Sequence, residues 1–322
     1  MRRTRAASLL VALAGMAASA LPASETALPA KEFTVSFIAT DKQGRVRSDL
    51  SAADFEIRVG KRPVQRVTAL TVQERRPLRL IALLDGSGST GQTGVYIREE
   101  MLTLIRFLRQ NVRPGIDKAA IIAFDDKTWL ECDMTDEPDK LEKAILKIPR
   151  AAGGTALHDA LVAAADYVTS QPDEQRGPQY ALILLSDGAD TSSKATLKKA
   201  TAAVLRAGVT IYSMNTGEQE SFIYSMNTGE QESFYRYQYK GERILRELAR
   251  ATGGMAFRPK NAKDVKPAFQ QIEADISASR YVVRGEMPSA SSGSSDGFHR
   301  IKIKPKVKDV ELRAPEGFYL AP

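Results

Sequence analysis

Three short segments, far apart in the chain, carry oxygen donors of the kind a hard cation needs. Asp85-Gly86-Ser87-Gly88-Ser89 follows the apolar run Leu80-Ile81-Ala82-Leu83-Leu84. Gly153-Gly154-Thr155 opens a helix-like segment, and Ser186-Asp187-Gly188 follows Ala181-Leu182-Ile183-Leu184-Leu185. Together Asp85, Ser87, Ser89, Thr155 and Asp187 offer two carboxylates and three hydroxyls. An all-oxygen set suits Mg²⁺, which takes octahedral oxygen coordination and keeps several waters. Two of the segments stand where a buried parallel strand would end. Open α/β sheets bind ligands in the crevice beyond the carboxyl ends of their strands.

The succession D-x-S-x-S, G-G-T, S-D-G resembles the metal-ion-dependent adhesion site of von Willebrand factor type A domains, and the resemblance runs from Pro77 to Ser279. It implies that Ser87, Ser89 and Thr155 donate hydroxyl oxygens and that Asp85 and Asp187 bind the metal directly or through water. The metal would be Mg²⁺, with Mn²⁺ or Ca²⁺ as substitutes. The partner would be another protein that presents an Asp or Glu to it, with no catalytic residue and no enzyme activity. Gly86 stands where the family often has a larger residue and Thr90 where it often has Met, and neither change removes a ligand. In related domains the closing helix, here Val265 to Ile276, shifts when the site is liganded.

Other chemistries fit the residues less well. Gly86, Gly88 and Gly91 match the G-x-G-x-x-G of dinucleotide sites, but that reading needs an acid about 20 residues on, at the end of the second strand. The acids there are Asp125 and Asp126, too far along, and Thr155 and Asp187 would have no role. A metal-dependent hydrolase would need a base to activate water. His158 and His299 are the only histidines, and only His158, one turn after Thr155, could stand near the site. A metal-free scaffold, with Asp85 and Asp187 merely capping turns, is the remaining alternative.

The elements that must position these segments alternate between strand and helix from residue 77 to 279, which argues for a Rossmann-like, doubly wound, mostly parallel sheet. Ile97, Met101, Leu104, Ile105 and Leu108 share one helix face. Strands are expected at Ala119–Phe124, Lys127–Cys132 (an edge), Val209–Met214 and Met255–Phe257. Helices are expected at Leu141–Ile148, Ala156–Val168, Ala195–Arg206, Arg243–Ala251 and Val265–Ile276.

Both flanks read as β. Phe33–Ile38, Phe55–Val59 and Val64–Val72 alternate in one, and Tyr281–Val283, His299–Val307 and Val310–Arg313 are strands in the other. Ser289 to Gly297 reads as a flexible hairpin loop. Neither flank buries a two-layer core alone, so the two are expected to pair into one small β-sandwich with the α/β domain inserted. The expected division is a signal peptide at 1–20, sandwich at 30–76, inserted domain at 77–279 and sandwich again at 280–322.

One segment occurs twice without a change: Ile211 to Phe222 and Ile223 to Phe234 both read IYSMNTGEQESF. Such identity points to a recent tandem duplication. Copy one is expected to fill the strand after Gly208, because it keeps the helix-to-strand connection short. Copy two would then lengthen the next loop to about Asn215–Lys240, bringing Glu218, Glu220, Glu230 and Glu232 beside the metal edge.

Arg2, Arg3 and Arg5, the apolar stretch Ala6 to Ala20 and the Ala18-Ser19-Ala20 cleavage pattern read as a secretory signal, giving an exported protein, periplasmic or secreted, with no later span. Removing those arginines takes the formal charge from +7 to +4. Lys302, Lys304, Lys306 and Lys308 alternate as on the solvent face of a strand, which with no aromatic-basic module argues against nucleic acid. Cys132 is the only cysteine, expected to be a small buried residue.

Overall fold

The computed structural model describes residues 31–87, 95–149, 153–172, 177–217, 231–288 and 297–320. In the first flank, Glu32–Thr40 (β1) buries Phe33, Val35, Phe37 and Ala39 at every second position, as a half-buried strand should. A 3₁₀ turn at Ala52–Asp54, where the Ser51 N–H donates to Asp54 Oδ2 at 2.8 Å, aims Phe55–Val59 (β2). Arg62–Pro63 (β3) pairs with β2 and stops at Pro63, which has no N–H for the ladder. Val67–Gln73 (β4) follows in another sheet, so the strand expected from Val64 to Val72 begins three residues later, at Val67.

The inserted unit begins with Leu78–Asp85 (β5), buried at every position. It continues through Val95–Asn111 (α1), Lys118–Phe124 (β6), Thr128–Thr135 (β7), Pro138–Lys147 (α2), Leu157–Ser170 (α3) and Gln179–Ser186 (β8). Leu197–Arg206 (α4), Val209–Asn215 (β9), Gln231–Thr252 (α5), Ala256–Phe257 (β10) and Ala262–Ser277 (α6) complete it. The six strands lie in the order β10-β9-β8-β5-β6-β7, parallel except for the edge strand β7. Alternate residues of β5 serve opposite cores. Leu80, Ala82 and Leu84 pack with residues of α1, α2 and α6, while Ile81 and Leu83 pack with residues of α3, α4 and α5. Fully burying each of these leucine and isoleucine side chains stabilises the fold by about 1.5–3 kcal/mol. The winding runs outward from β5 to β6 and β7 on one side, then from β8 to β9 and β10 on the other. The switch point therefore falls between the ends of β5 and β8.

The chain then returns to the flank with Arg280–Glu286 (β11), Phe298–Pro305 (β12), Glu311–Arg313 (β13) and Gly317–Tyr319 (β14). Two four-stranded sheets result, β13-β1-β11-β4 and β14-β12-β2-β3, each built from both flanks. Their facing sides share one core, where Phe37 stacks on Tyr281 at 5.3 Å and meets Phe55 edge-on at 5.1 Å. β11 and β12 belong to different sheets and do not pair, so they are not the two arms of a hairpin; residues 289–296, expected in its loop, lie outside the described ones. Lys302, Lys304, Lys306 and Lys308 do face solvent. Cys132 is half-buried rather than buried, because β7 is an edge strand with one open face.

The duplicated copies are divided between two elements. β9 takes Ile211 to Asn215 from copy one, as expected. Helix α5 opens at Gln231, inside copy two, twelve residues before the expected Arg243. Gly241 is an interior position of this helix, at which a neighbouring backbone comes close. Glu218, Glu220 and Glu230 lie outside the described residues, and Glu232 falls on α5 rather than in a loop.

Candidate metal centre

Asp85 is the last residue of β5 and Asp187 the first after β8, so both carboxylates flank the switch point. Ser186 Oγ donates to Asp85 Oδ2 at 2.6 Å and accepts the Gly188 N–H at 3.0 Å, tying the two strand ends together. The Ser87 N–H donates to Asp85 Oδ1 at 2.9 Å, which turns the chain back over the carboxylate and buries Ser87. Gly86 N donates to the Phe124 carbonyl at 2.7 Å, and a Cβ at position 86 would meet the Pro149 carbonyl oxygen at 2.9 Å. A larger residue does not fit there without displacing that loop.

Thr155 reaches the same edge from the start of α3. Its segment is held by the Ala156 N–H on the Asp125 carbonyl at 2.7 Å, beyond the end of β6. The Thr155 N–H donates to Thr191 Oγ1 at 2.8 Å, and its carbonyl accepts from Thr191 and Ser192 at 2.8 and 3.0 Å. A Cβ on Gly154 would collide with Ser192 Oγ, so any larger residue there would have to turn that hydroxyl aside. His158 stands behind. Its N–H donates to Asp190 Oδ1, and its Nδ1 lies 3.1 Å from Asp190 Oδ2, close enough for an ion pair but off the line of a hydrogen bond. The histidine thus joins the Thr155 loop to the Asp187 loop.

The Asp187 loop is pinned from above by α5. Gly188 takes φ +79°, a left-handed conformation natural to glycine, and a Cβ there would collide with the Gly241 carbonyl. A Cβ on Gly241 would likewise collide with the Asp187 carbonyl. Asp187 Oδ1 accepts the Ala189 N–H at 2.8 Å, and Oδ2 accepts nothing among the described residues. The Thr155 hydroxyl, on a residue 3% exposed, also has no partner among them. Ser89, the fifth expected donor, lies outside the described residues.

Burial pushes the Asp85 carboxyl up to about 6, against the lowering effect of the Ser186 and Ser87 hydrogen bonds, and the Asp187 charge adds to the rise. Two carboxylates and two buried hydroxyl-bearing residues around one strand junction fit a small hard cation, whose charge would offset both the burial and the mutual repulsion. Among the described residues no group of three or more His, Cys, Asp or Glu could hold a metal, so a softer, histidine- or thiolate-rich site is not formed by them. Two features went unread in the sequence. Ser186 is the bridge between the strands, although only its neighbour Asp187 had been given a role. Glu100, in the second turn of α1, is 2% exposed with Oε2 unpartnered among the described residues, and burial pushes it up to about 8.

The sequence matches the von Willebrand factor type A domain over residues 80–270, more than half of the chain. The chain belongs to that family. Domains of the von Willebrand A type generally serve in protein–protein interaction and often bind a divalent cation at a metal-ion-dependent adhesion site. No match was found among curated proteins. Solved structures similar to the chain include an aerotolerance-related membrane protein from Bacteroides fragilis with multiple mutations to serines, at 16% identity, TM-score 0.43, covering 62% of this chain and 99% of that one. A von Willebrand factor type A protein from Catenulispora acidiphila is similar at 14% identity, TM-score 0.46, over 83% and 73% of the two chains. Proximal thread matrix protein 1 of the mussel byssus, solved with a zinc-occupied adhesion motif, is similar at 14% identity, TM-score 0.47, over 68% and 49%.

Proposed function

We propose that this von Willebrand A protein is an exported, metal-dependent binding module that captures an Asp or Glu side chain of a partner protein. The observation that carries the reading is the pair of open oxygen positions, Asp187 Oδ2 and the Thr155 hydroxyl, beside the buried Asp85 at the switch point. Asp85, Ser87, Ser89, Thr155 and Asp187 would hold the cation. A bound Mg²⁺ or Mn²⁺ supplies an electrophilic position for a carboxylate, since two acidic ligands leave its charge only formally balanced. Ser186 and the Ser87 N–H keep Asp85 ionised and oriented, and the Gly188–Gly241 contact fixes the loop that carries Asp187. His158 spans the two loops beside Asp190, a positioning role rather than that of a base.

Export rests on the arginine-led apolar leader ending in Ala18-Ser19-Ala20, and no helix among the described residues is long and apolar enough to cross a membrane. Asp187→Ala is expected to abolish Mg²⁺ and Mn²⁺ binding by calorimetry while leaving the circular dichroism spectrum intact. Unchanged metal affinity in that variant sinks the site assignment. Partners captured from an extracytoplasmic extract should be lost on adding EDTA, whereas partners that persist favour the metal-free scaffold.

A further inference from the structure

At the opposite edge of the six-stranded sheet, where β9 begins and α4 and α5 end, a cleft of about 270 Å³ lies between the von Willebrand domain and the sandwich. We propose that this cleft is a second binding site, for a small oxyanion of the phosphate or carboxylate class. Arg206, Arg280 and Arg313 all line it, with the hydroxyls of Thr34, Ser36 and Thr210, and no acidic side chain is among the lining residues described.

The arginines are held in place before any ligand arrives. Asp275, at the end of α6 and fully buried, accepts from Arg280 at 3.1 Å and from Tyr212 OH at 2.5 Å through Oδ2, and from Arg313 Nε at 2.7 Å through Oδ1. One carboxylate thus serves two guanidiniums, and the pair keeps a net positive charge. Arg280 is 7% exposed, and its Nε has no hydrogen-bond partner among the described residues. Unpartnered buried donors are uncommon in native folds. Arg206, at the last turn of α4, lies over the Tyr319 ring with Cζ 4.1 Å from the centroid. That contact holds the guanidinium at the wall of the cleft. Arginine forks match the oxygen spacing of phosphates and carboxylates, so the lining suits an oxyanion better than a halide.

The test uses the full chain in EDTA, which keeps the metal edge out of the measurement. Inorganic phosphate and, separately, succinate are titrated by calorimetry at constant ionic strength set with NaCl. A saturable 1:1 heat with phosphate is expected, and the succinate arm tells whether carboxylates are accepted as well. Arg206 is exposed, and the bonds described on Asp275 come from Arg280, Arg313 and Tyr212, so Arg206→Gln should keep the wild-type circular dichroism and bind about ten-fold more weakly. Asp187→Ala should bind the anion as the wild type does, which separates this site from the metal centre. No saturable binding of either anion, or equal affinity in wild type and Arg206→Gln, overturns the proposal.

Discussion

Glu100 is the residue at which burial and charge conflict most openly. Its neighbour Glu99 pairs with Arg106 at 3.4 Å near the surface, while Glu100 points inward on the face that also carries Leu104 and Phe107. Its folded pKa, about 8, stands above the ordinary 4.5. Between those values the unfolded chain releases the proton and the folded chain keeps it, so stability falls as pH rises from about 4.5 to about 8 and levels off beyond. Glu100→Gln, neutral throughout, should gain on the wild type across that window, by on the order of a few kcal/mol at pH 8 and little at pH 4.5. Urea unfolding of both proteins at the two pH values measures the difference, and a constant gap would mean that Glu100 is not held as a buried acid. The helical spacing of 100, 104 and 107 was legible in the sequence; the adjacent Glu-Glu pair disguised it as a solvent face. Asp85 and Asp187 were legible because each follows an apolar run that could only be a buried strand, whereas the Ser186 bridge needed the register of β5 against β8.

Among the elements, α5 departs most from what its sequence suggests. Glycine inside a helix costs about 1 kcal/mol relative to alanine, and Gly241 sits inside this one. Tertiary contact overrides the propensity, because only a residue without Cβ lets the helix rest on the Asp187 carbonyl. Gly241→Ala should therefore destabilise the protein by about 1–3 kcal/mol through that clash and weaken metal binding with it. A rise in melting temperature instead, as propensity alone predicts, would remove the close approach from the account of the site. The duplication belongs to this scale too. Deleting residues 223–234 leaves the strand IYSMN, the link TGE and the helix start QESF in unbroken succession. Partner affinity in Mg²⁺ before and after that deletion decides whether the extra glutamates compete for the metal; an unchanged affinity excludes it.

At the scale of the whole molecule, both sandwich sheets mix strands from the two flanks. Deleting residues 280–322 removes four of the eight strands, including β11 between β1 and β4, and should leave residues 32–74 open to limited proteolysis. Equal protection of that segment in the truncated chain would contradict the shared core. This pairing was inferable from sequence because three or four alternating strands leave an apolar face uncovered. Which strand lies beside which was not, since a crossover and a hairpin look the same in a polar connection such as residues 289–296.

The way the inserted domain is attached has a mechanical consequence. Its incoming strand β4 and outgoing strand β11 lie side by side, with Gln73 opposite Arg280 at the point of departure. Arg75, just beyond, is fastened to Asp117 at 3.0 Å and to the Asn111 carbonyl at 2.8 Å. A pull applied to residues 31 and 320 is borne first by strand pairs of the sandwich, β1 with β11 and β13, and β14 with β12. Asp85 and Asp187 stand at the far ends of β5 and β8, away from that path, and take up load only after those pairs have sheared.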